Sequence, residues 1–322
     1  MRKKLFLFIL VSSYLMATGS ISGLGYFNYN YDLTKDALNN GGFSLNRVYF
    51  TYKNDITDNL SVKFQTDVGE VGDDERLTAF LKKAQVDWKL SIGKISLGMQ
   101  GMNMFNITEK TWGFRFIQKS PMDLHGFSSS ADLGMGYSNK TGDLSYSILV
   151  TNGRGYKKQE NDRFKKVSFH SVYGQPKLSK EDGYNVGIAS SIEQYEDDLK
   201  FKFNKTVMSI FAGFSGYGLR IGGEFDMYRD SNADNKPEIS NKQIIAFYGS
   251  YKLIDNIEGL VYVDMFDPDI NAEDDGETYI IAGLNYYATK GLVIAPNVQM
   301  TSFSNSDTDN LTNFIMNFQF KF

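Results

Sequence analysis

The last twelve residues are the segment that most constrains how this chain can fold. They read LTNFIMNFQFKF, from Leu311 to Phe322, and from Phe314 onward an apolar side chain occupies every second position. A period of two residues is typical of a β-strand with one apolar and one polar face. The segment therefore predicts that the fold ends on a two-faced strand, either the last strand of a sandwich or the closing strand of a barrel.

A terminal aromatic strand that ends on phenylalanine resembles the closing strand of Gram-negative outer-membrane barrels. The start of the chain agrees with export, because Arg2, Lys3 and Lys4 precede an apolar run over residues 5–11, followed by small residues. This order predicts a signal peptide over residues 1–22, with cleavage at about 17–22. The apolar run is too short to cross a bilayer as a helix, and a barrel is the other backbone solution that lipid permits. The predicted location is the bacterial outer membrane.

Composition and charge exclude several classes of function. The chain has 34 basic and 38 acidic residues, and loss of the three signal charges leaves 31 against 38, a net charge near −7. Such a balance argues against a nucleic-acid partner, which requires a basic face. The absence of cysteine excludes disulfides and thiolate chemistry, and two histidines leave little for a metal site. No cofactor and no metal is expected.

Alternating segments fill the rest of the chain, each about 9–12 residues long, the length with which a tilted strand crosses a bilayer. The predicted fold over residues 23–322 is all-β, a transmembrane antiparallel β-barrel of about 16 strands, although 14 or 18 strands also fit the pattern. The segments begin near residues 21, 43, 60, 79, 94, 131, 144, 164, 184, 199, 217, 241, 257, 277, 291 and 311.

Two kinds of connection take turns between these segments. The predicted periplasmic turns are short: 54–59, 92–93, 139–142, 177–183, 215–218, 254–256 and 289–291. The predicted extracellular loops are longer and more polar: 32–42, 70–78, 104–130, 153–163, 229–240, 267–276 and 303–310, with a brief acidic bend at 195–198 in the same series. Short turns at one end and long loops at the other are typical of outer-membrane barrels.

One hairpin can be predicted in detail. Pairing outward Ala288 with outward Leu292 leaves Thr289, Lys290 and Gly291 as a three-residue turn with glycine in the left-handed position.

Two stretches carry a family resemblance: FSLNRVYFTYKNDITDNLSVKFQTDVG (43–69) and LSIGKISLG (90–98). They are similar to the early hairpin and the strand before the constriction loop of the phosphate-selective porin O and P family and of the general porins. Over residues 43–120 this resemblance is at the level of motifs. It implies a sixteen-stranded, trimeric, water-filled channel. The arginine ladder of the phosphate-selective members is not matched, because the mature chain has only seven scattered arginines: Arg47, Arg76, Arg115, Arg154, Arg163, Arg220 and Arg229.

The polar faces of three early segments predict the lining of a pore. Arg47, Lys63 and Lys83 are expected to face inward near mid-height, with Asp67 and Asp87 on the same faces. A basic wall there would favour anions. Same-face pairing across the 54–59 turn sets Arg47 opposite Asp67 and Thr51 opposite Lys63, so an ordinary cross-strand ion pair is the alternative for Arg47.

The longest connection, 104–130, is rich in aromatic residues and is expected to fold into the lumen rather than to stay disordered. The alternative is that its aromatic side chains cover a trimer contact. Inside the lumen the loop would constrict the pore, and its candidate eyelet residues are Glu109, Lys110, Arg115, Lys119 and Asp123.

Two outer features have weaker functional interpretations. The basic stretch 154–166 could contact lipopolysaccharide phosphates, or it could be an ordinary solvated loop. The acidic stretches 230–235 and 267–277 have oxygen ligands at alternate positions, but neither has the glycine at the sixth position or the glutamate at the twelfth position of a calcium loop.

The predicted function is passive diffusion of small hydrophilic solutes and ions through a homotrimeric porin, with a weak anion preference and no enzymatic activity. The alternative is an adhesin or receptor that binds through its long loops. A barrel enzyme would need a nucleophile and an oriented base, and only His125 and His170 could supply that base.

Overall fold

The computed structural model is a closed antiparallel barrel of sixteen strands, as predicted. It describes residues 19–37, 41–71, 74–196, 201–232 and 238–322, so most of the predicted signal peptide lies outside the described residues. The strands are β1 (Ser20–Asp32), β2 (Gly42–Asp55), β3 (Leu60–Val71), β4 (Asp74–Leu90), β5 (Gly93–Gly101), β6 (Ala131–Thr141), β7 (Leu144–Thr151), β8 (Lys166–Gly174), β9 (Gly183–Glu196), β10 (Lys202–Gly216), β11 (Leu219–Asn232), β12 (Glu238–Ile254), β13 (Ile257–Asp267), β14 (Glu277–Thr289), β15 (Leu292–Phe303) and β16 (Leu311–Lys321).

The terminal segment closes the barrel. β16 pairs with β15 on one side and with β1 on the other. Phenylalanine rings cover the seam on the outside: Phe27 stacks on Phe318 with ring centroids 4.5 Å apart, and a Cβ at Gly25 would lie 2.2 Å from the Phe320 ring. The glycine leaves room for that ring, because a side chain there would occupy the same space.

Connections alternate in length between the two ends of the barrel, with two corrections. The predicted 70–78 loop is mostly strand, because β3 runs to Val71 and β4 begins at Asp74. The predicted 229–240 loop is likewise shortened by β11 and β12. Each added strand pair satisfies backbone groups that a loop would leave to water, and Glu70 accordingly pairs with Leu77. The 195–198 bend lies partly outside the described residues.

The β14–β15 hairpin keeps the predicted register but not the predicted turn. Tyr286 pairs with Ile294, which is the register that same-face pairing demands. A bulge at Ala288 then sets Thr289 opposite Leu292, so that only Lys290 and Gly291 form the turn. Gly291 has a φ of 90°, the left-handed conformation expected of it.

The predicted register of the β2–β3 hairpin is wrong by two residues. Tyr49, rather than Arg47, lies opposite Asp67, and Lys53 lies opposite Lys63. The strands continue closer to the turn than expected, and Ile56 N–H donates to the Leu60 carbonyl across it. A shift of two positions preserves the face of every side chain, so the inward and outward assignments stand.

The polar inner faces predicted for the early strands do not continue round the whole lumen. The inner faces of β12–β15 carry large apolar side chains, including the fully buried Ile244, Tyr262 and Ile281. Runs such as GLVYV (259–263) do not alternate, because both faces of the strand are covered by apolar material. This apolar half of the inner wall is where the long 104–130 connection packs.

Gly98 is expected to be indispensable to the barrel. It lies within β5 with a φ of 102°, and a Cβ there would approach the Ala84 carbonyl oxygen to 2.3 Å. Gly98→Val should therefore destabilise the barrel by about 2–6 kcal/mol, the sum of backbone strain and overpacking. The change can be read as a lower urea midpoint of unfolding. Gly42→Ala is the matched control, because a Cβ at Gly42 meets nothing within 4 Å. Equal midpoints for the two variants would contradict the prediction.

Candidate pore and constriction

Two consecutive lysines of β4 both face the lumen. A bulge between β3 and β4 lets Gln65 pair with Lys83 and Thr66 with Leu81, which leaves Lys82 unpaired in the ladder. Strict alternation would send one of the two lysines outward. The extra residue of a bulge re-aims the side chains that follow it, and Lys82 is accordingly buried inside the barrel.

A cavity of about 1400 Å³ runs from the short-turn end of the barrel to the middle of the lumen. Its lining is dominated by positive charge, because nine basic side chains among the described residues face three carboxylates. The basic residues are Lys53, Lys63, Lys82, Lys83, Lys89, Lys94, Lys110, Arg115 and Lys140, and the acidic ones are Asp55, Asp87 and Glu109.

Several of these lysines are not neutralised. Lys53 lies directly opposite Lys63, and Lys83 lies two pairs further along the β3–β4 ladder. No salt bridge or hydrogen bond of the Lys63 or Lys83 side chain occurs within the described part of the chain. By contrast, Lys94 is paired with Asp87 at 3.3 Å. Unpaired ammonium groups on neighbouring strands produce a positive potential along the wall.

A paired cluster lies beyond these lysines. The Asp67 carboxylate forms ion pairs with Arg47 at 3.5 Å and with Lys82 at 3.6 Å. Both cations also contact Tyr49: the Lys82 ammonium lies 4.7 Å, and the Arg47 guanidinium carbon 5.2 Å, from its ring centroid. Arg47 and Asp67 thus form the ion pair that was the alternative to a free basic wall, but along a diagonal of the ladder rather than directly across it.

The constriction loop, defined as residues 102–130, folds into the lumen as predicted. It contains two short helices, α1 (Thr108–Trp112) and α2 (Pro121–Leu124). α1 ends at Gly113, whose φ of 81° gives a left-handed cap, and Gly113 N–H donates to the Glu109 carbonyl. No helix in the described part of the chain is long and apolar enough to span a membrane.

Aromatic side chains seat this loop on the apolar half of the inner wall. Trp112 is 1% exposed and lies 5.1 Å from Phe114, 5.9 Å from Tyr248 and 5.1 Å from Tyr262, measured between ring centroids. Phe116 packs in the same cluster. The alternative that these aromatic residues cover a trimer contact is therefore wrong, because they face the inside of the barrel.

Polar anchors fasten the loop along its length. The Arg220 guanidinium donates to the Trp112 carbonyl at 3.3 Å and lies 4.7 Å from the Phe114 ring centroid. The Asn317 amide of the closing strand donates to the Phe116 carbonyl at 3.1 Å, and His125 bonds Asp264 at 2.8 Å. Because both backbone and side-chain groups of the loop are hydrogen-bonded to the wall, the loop has one docked position.

Arg115 is the hub of charge within the loop. It pairs with Glu109 and, at 2.7 Å, with Asp123. Burial by itself would lower the pKa of Arg115, but the carboxylates of Glu109 and Asp123 outweigh burial and raise it. The guanidinium therefore stays charged at any physiological pH, and it is paired with these two carboxylates.

A group of acidic side chains lies behind the loop rather than in the cavity. Glu224 and Asp226 on β11 and Asp264 on β13 are fully or almost fully buried. None of the three lines the 1400 Å³ cavity, so they do not offset its positive charge directly. No cluster of histidine and carboxylate ligands suited to a metal ion is found among the described residues.

Six of the ten candidate pore residues line the cavity: Lys63, Lys83, Asp87, Glu109, Lys110 and Arg115. The other four do not line it. Arg47 and Asp67 belong to the Lys82 cluster, and Asp123 is the partner of Arg115. Lys119 lies further along the constriction loop, where burial, more than any neighbouring charge, lowers its pKa. Their roles in permeation remain predictions.

Three residues were missed as candidates. Lys53 is not among the predicted pore residues, because its position opposite Lys63 depends on the corrected register. Lys82 could have been suspected only if the Lys82–Lys83 pair had been interpreted as a bulge. Arg220 was set aside as a scattered arginine, although it is the anchor of the constriction loop.

The histidines do not form a catalytic arrangement within the described part of the chain. Both ring nitrogens of His125 face carboxylates, at 2.8 Å from Asp264 and 4.0 Å from Glu277. His170 stacks on Phe211 at 5.5 Å, and its Nε2 has no hydrogen-bond partner. The basic stretch 154–166 also needs correction, because Lys166 is buried inside the barrel next to Glu193.

The closed sixteen-stranded barrel with its in-folded loop has the fold of solved outer-membrane porins and channels, three of which match 94–95% of the chain. An anion-selective porin from Comamonas acidovorans is 10% identical over 95% of this chain and 99% of its own, with a TM-score of 0.73. The outer-membrane channel DcaP of Acinetobacter baumannii is 10% identical over 94% and 97%, with a TM-score of 0.70. The trimeric form of Vibrio cholerae OmpT is 12% identical over 94% and 99%, with a TM-score of 0.68.

These likenesses are in fold rather than in sequence. No family model and no curated protein matches the chain.

Proposed function

We propose that this protein is a water-filled diffusion channel of the bacterial outer membrane that passes small hydrophilic solutes and prefers anions. The observation that carries the proposal is the basic cavity. Its nine cationic and three acidic side chains surround the space that a solute would cross. Fixed charge at a constriction selects permeant ions by sign.

The outer surface supports a membrane location. Large apolar side chains are exposed all round the barrel wall, for example Phe50, Ile188, Ile210 and Phe247, each about half exposed. A soluble monomer rarely exposes so continuous an apolar surface, whereas a lipid-facing barrel requires one. The proposed export signal over residues 1–22 fits the same location.

The closed wall and the seat of the constriction loop support a passive channel. A loop held by aromatic packing and by Arg220, Asn317 and Asp264 leaves the basic cavity along β2–β8 unfilled. The anion preference is also the property for which the Comamonas acidovorans porin is named. We also propose a homotrimer, because the structurally similar Vibrio cholerae OmpT has been solved as a trimer. The outer loops are proposed to contact lipopolysaccharide.

Purified protein in planar lipid bilayers tests the proposal. We expect stepwise conductance and, in a tenfold potassium chloride gradient, a reversal potential whose sign reports anion preference. Protein that folds and inserts without conducting would overturn the channel and favour the adhesin or receptor alternative. A conducting pore with a cation-selective reversal potential would overturn the anion preference alone.

A further inference from the structure

The connection between β8 and β9, residues 175–182, bends into the barrel instead of projecting from it. We name it the β8–β9 turn. Leu178 within this turn is 1% exposed, whereas Ile56, in the β2–β3 turn at the same end of the barrel, is 54% exposed. Because a leucine in a turn that faces solvent would be exposed, the burial of Leu178 shows that the turn enters the lumen.

Leu178 and α1 of the constriction loop both pack against glycine residues of the barrel wall. A Cβ at Gly213 would lie 2.8 Å from the Leu178 Cδ1 atom and 2.7 Å from the Thr111 Cγ2 atom. A Cβ at Gly222, the cross-strand partner of Gly213, would also lie 2.7 Å from Thr111. The two glycines therefore form a cradle in which Leu178 and Thr111 lie side by side.

Backbone contacts join the same two segments. Ser179 N–H donates to the Lys110 carbonyl at 3.2 Å, which supplies a partner to a carbonyl that the last turn of a helix leaves free. The Asn185 amide donates to the Thr111 hydroxyl at 3.4 Å and to the Gln175 carbonyl at 2.9 Å, so one side chain bridges helix and turn.

The turn is itself fastened to the barrel wall. The Ser215 hydroxyl donates to Asp182 at 2.9 Å, and Gln175 N–H donates to the Tyr184 carbonyl at 2.8 Å. A fixed turn can hold α1 in place, whereas a loose one would only move with it.

The β8–β9 turn also brings charged side chains close to Lys110 of the constriction loop. Burial lowers the pKa of Lys110, and the nearby ammonium groups of Lys177 and Lys180 lower it further, against the opposing effect of Glu109. The turn therefore places two ammonium groups near Lys110, although Glu181 and Asp182 leave the turn as a whole without net charge.

We propose that the β8–β9 turn is a prop that sets the position of the constriction loop from the short-turn end, with Leu178 as the positioning residue. This role rests on the channel function proposed above. It requires that α1 and the turn stay in contact while the pore conducts, and that shortening Leu178 loosens the loop without opening the barrel.

The contact can be tested without a current measurement. The chain has no cysteine, so Lys110→Cys combined with Ser179→Cys introduces the only thiols. Since the two backbones are hydrogen-bonded, we expect rapid disulfide formation in the folded barrel, seen as a mobility shift after denaturation without reductant. Lys110→Cys with Ile56→Cys is the control pair and should stay uncrosslinked. Failure of the Lys110–Ser179 pair to crosslink would overturn the prop.

The positioning role is tested by current fluctuations. Removal of a buried leucine side chain should raise the population of the undocked loop by about 30-fold or more, so Leu178→Ala should show larger conductance excursions and more open-channel noise than the wild type. Leu178→Met conserves volume and should restore quiet openings, while Ile56→Ala should resemble the wild type. Urea midpoints of the barrel should be equal in all of them.

Wild-type noise in Leu178→Ala, with the crosslink still forming, would overturn the positioning role and leave the contact as packing only. A wild-type barrel that does not conduct would overturn both the channel function and the positioning role of Leu178. If the Lys110–Ser179 crosslink still forms in that case, the contact between turn and loop exists and only the channel function has failed.

Discussion

Replacement of Trp112 with alanine is expected to increase the single-channel conductance and the size of the largest solute that enters. Trp112 fills the centre of the aromatic seat between Phe114, Tyr248 and Tyr262, and its indole N–H donates to the Gln118 carbonyl at 2.9 Å. Truncation of a buried tryptophan costs about 3–5 kcal/mol. Because the strand ladder does not depend on this residue, most of that cost falls on the docking of the constriction loop.

The chain offers a matched control for this substitution. It has two tryptophans, and the other, Trp88, lies on the outer face of β4 and is 48% exposed. Trp88→Ala should leave conductance unchanged. Liposome swelling with sugars of increasing size measures the exclusion limit, and equal limits for both variants would contradict the assignment of Trp112 as the seat of the loop.

Reversal of two cavity charges, Lys63→Glu with Lys83→Glu, is expected to abolish the proposed anion preference. Neither lysine has a salt bridge or hydrogen bond within the described residues, so no partner at contact distance offsets its charge. At about 8 Å and an effective dielectric constant near 40, one unit charge is worth about 1 kcal/mol, which is roughly a fivefold change in relative permeability. The double reversal lowers the net charge of the cavity lining from +6 to +2 and should bring the ratio of anion to cation permeability towards one.

Reversal potentials in a salt gradient measure this effect, and Lys290→Glu is the control because Lys290 is exposed in the β14–β15 turn. The neutral pair Lys63→Gln with Lys83→Gln should give an intermediate ratio. High ionic strength should reduce all of these differences, because salt screens charges across a water-filled space. An unchanged ratio in the double reversal would show that the cavity lysines do not select ions.

The local sequence determines the strands and, away from bulges, the side of the wall that a residue faces. The two-residue period of LTNFIMNFQFKF follows from the geometry of an extended backbone. It correctly predicted a two-faced strand, and the structure shows that this strand closes the barrel against β1. The same period correctly assigned Lys63 and Lys83 to the inner face. These inferences hold because facing depends on neighbours one and two residues away.

Tertiary contacts decide what local alternation cannot. Lys82 faces the lumen only because of a bulge against β3, and the register of β2 on β3 depends on how tightly their turn closes. Both are properties of a pair of strands, so neither strand alone specifies them.

The constriction shows the same division between sequence and tertiary structure. The aromatic composition of residues 104–130 predicts that the segment packs somewhere in the barrel, because so much apolar surface would not stay in water. Only the folded structure shows that the segment packs on β12–β15 and that it contacts Leu178. Trp112 and Leu178 find their partners on strands far along the sequence, and contacts between distant segments are set by the sum of many weak packing and hydrogen-bond terms rather than by any local pattern.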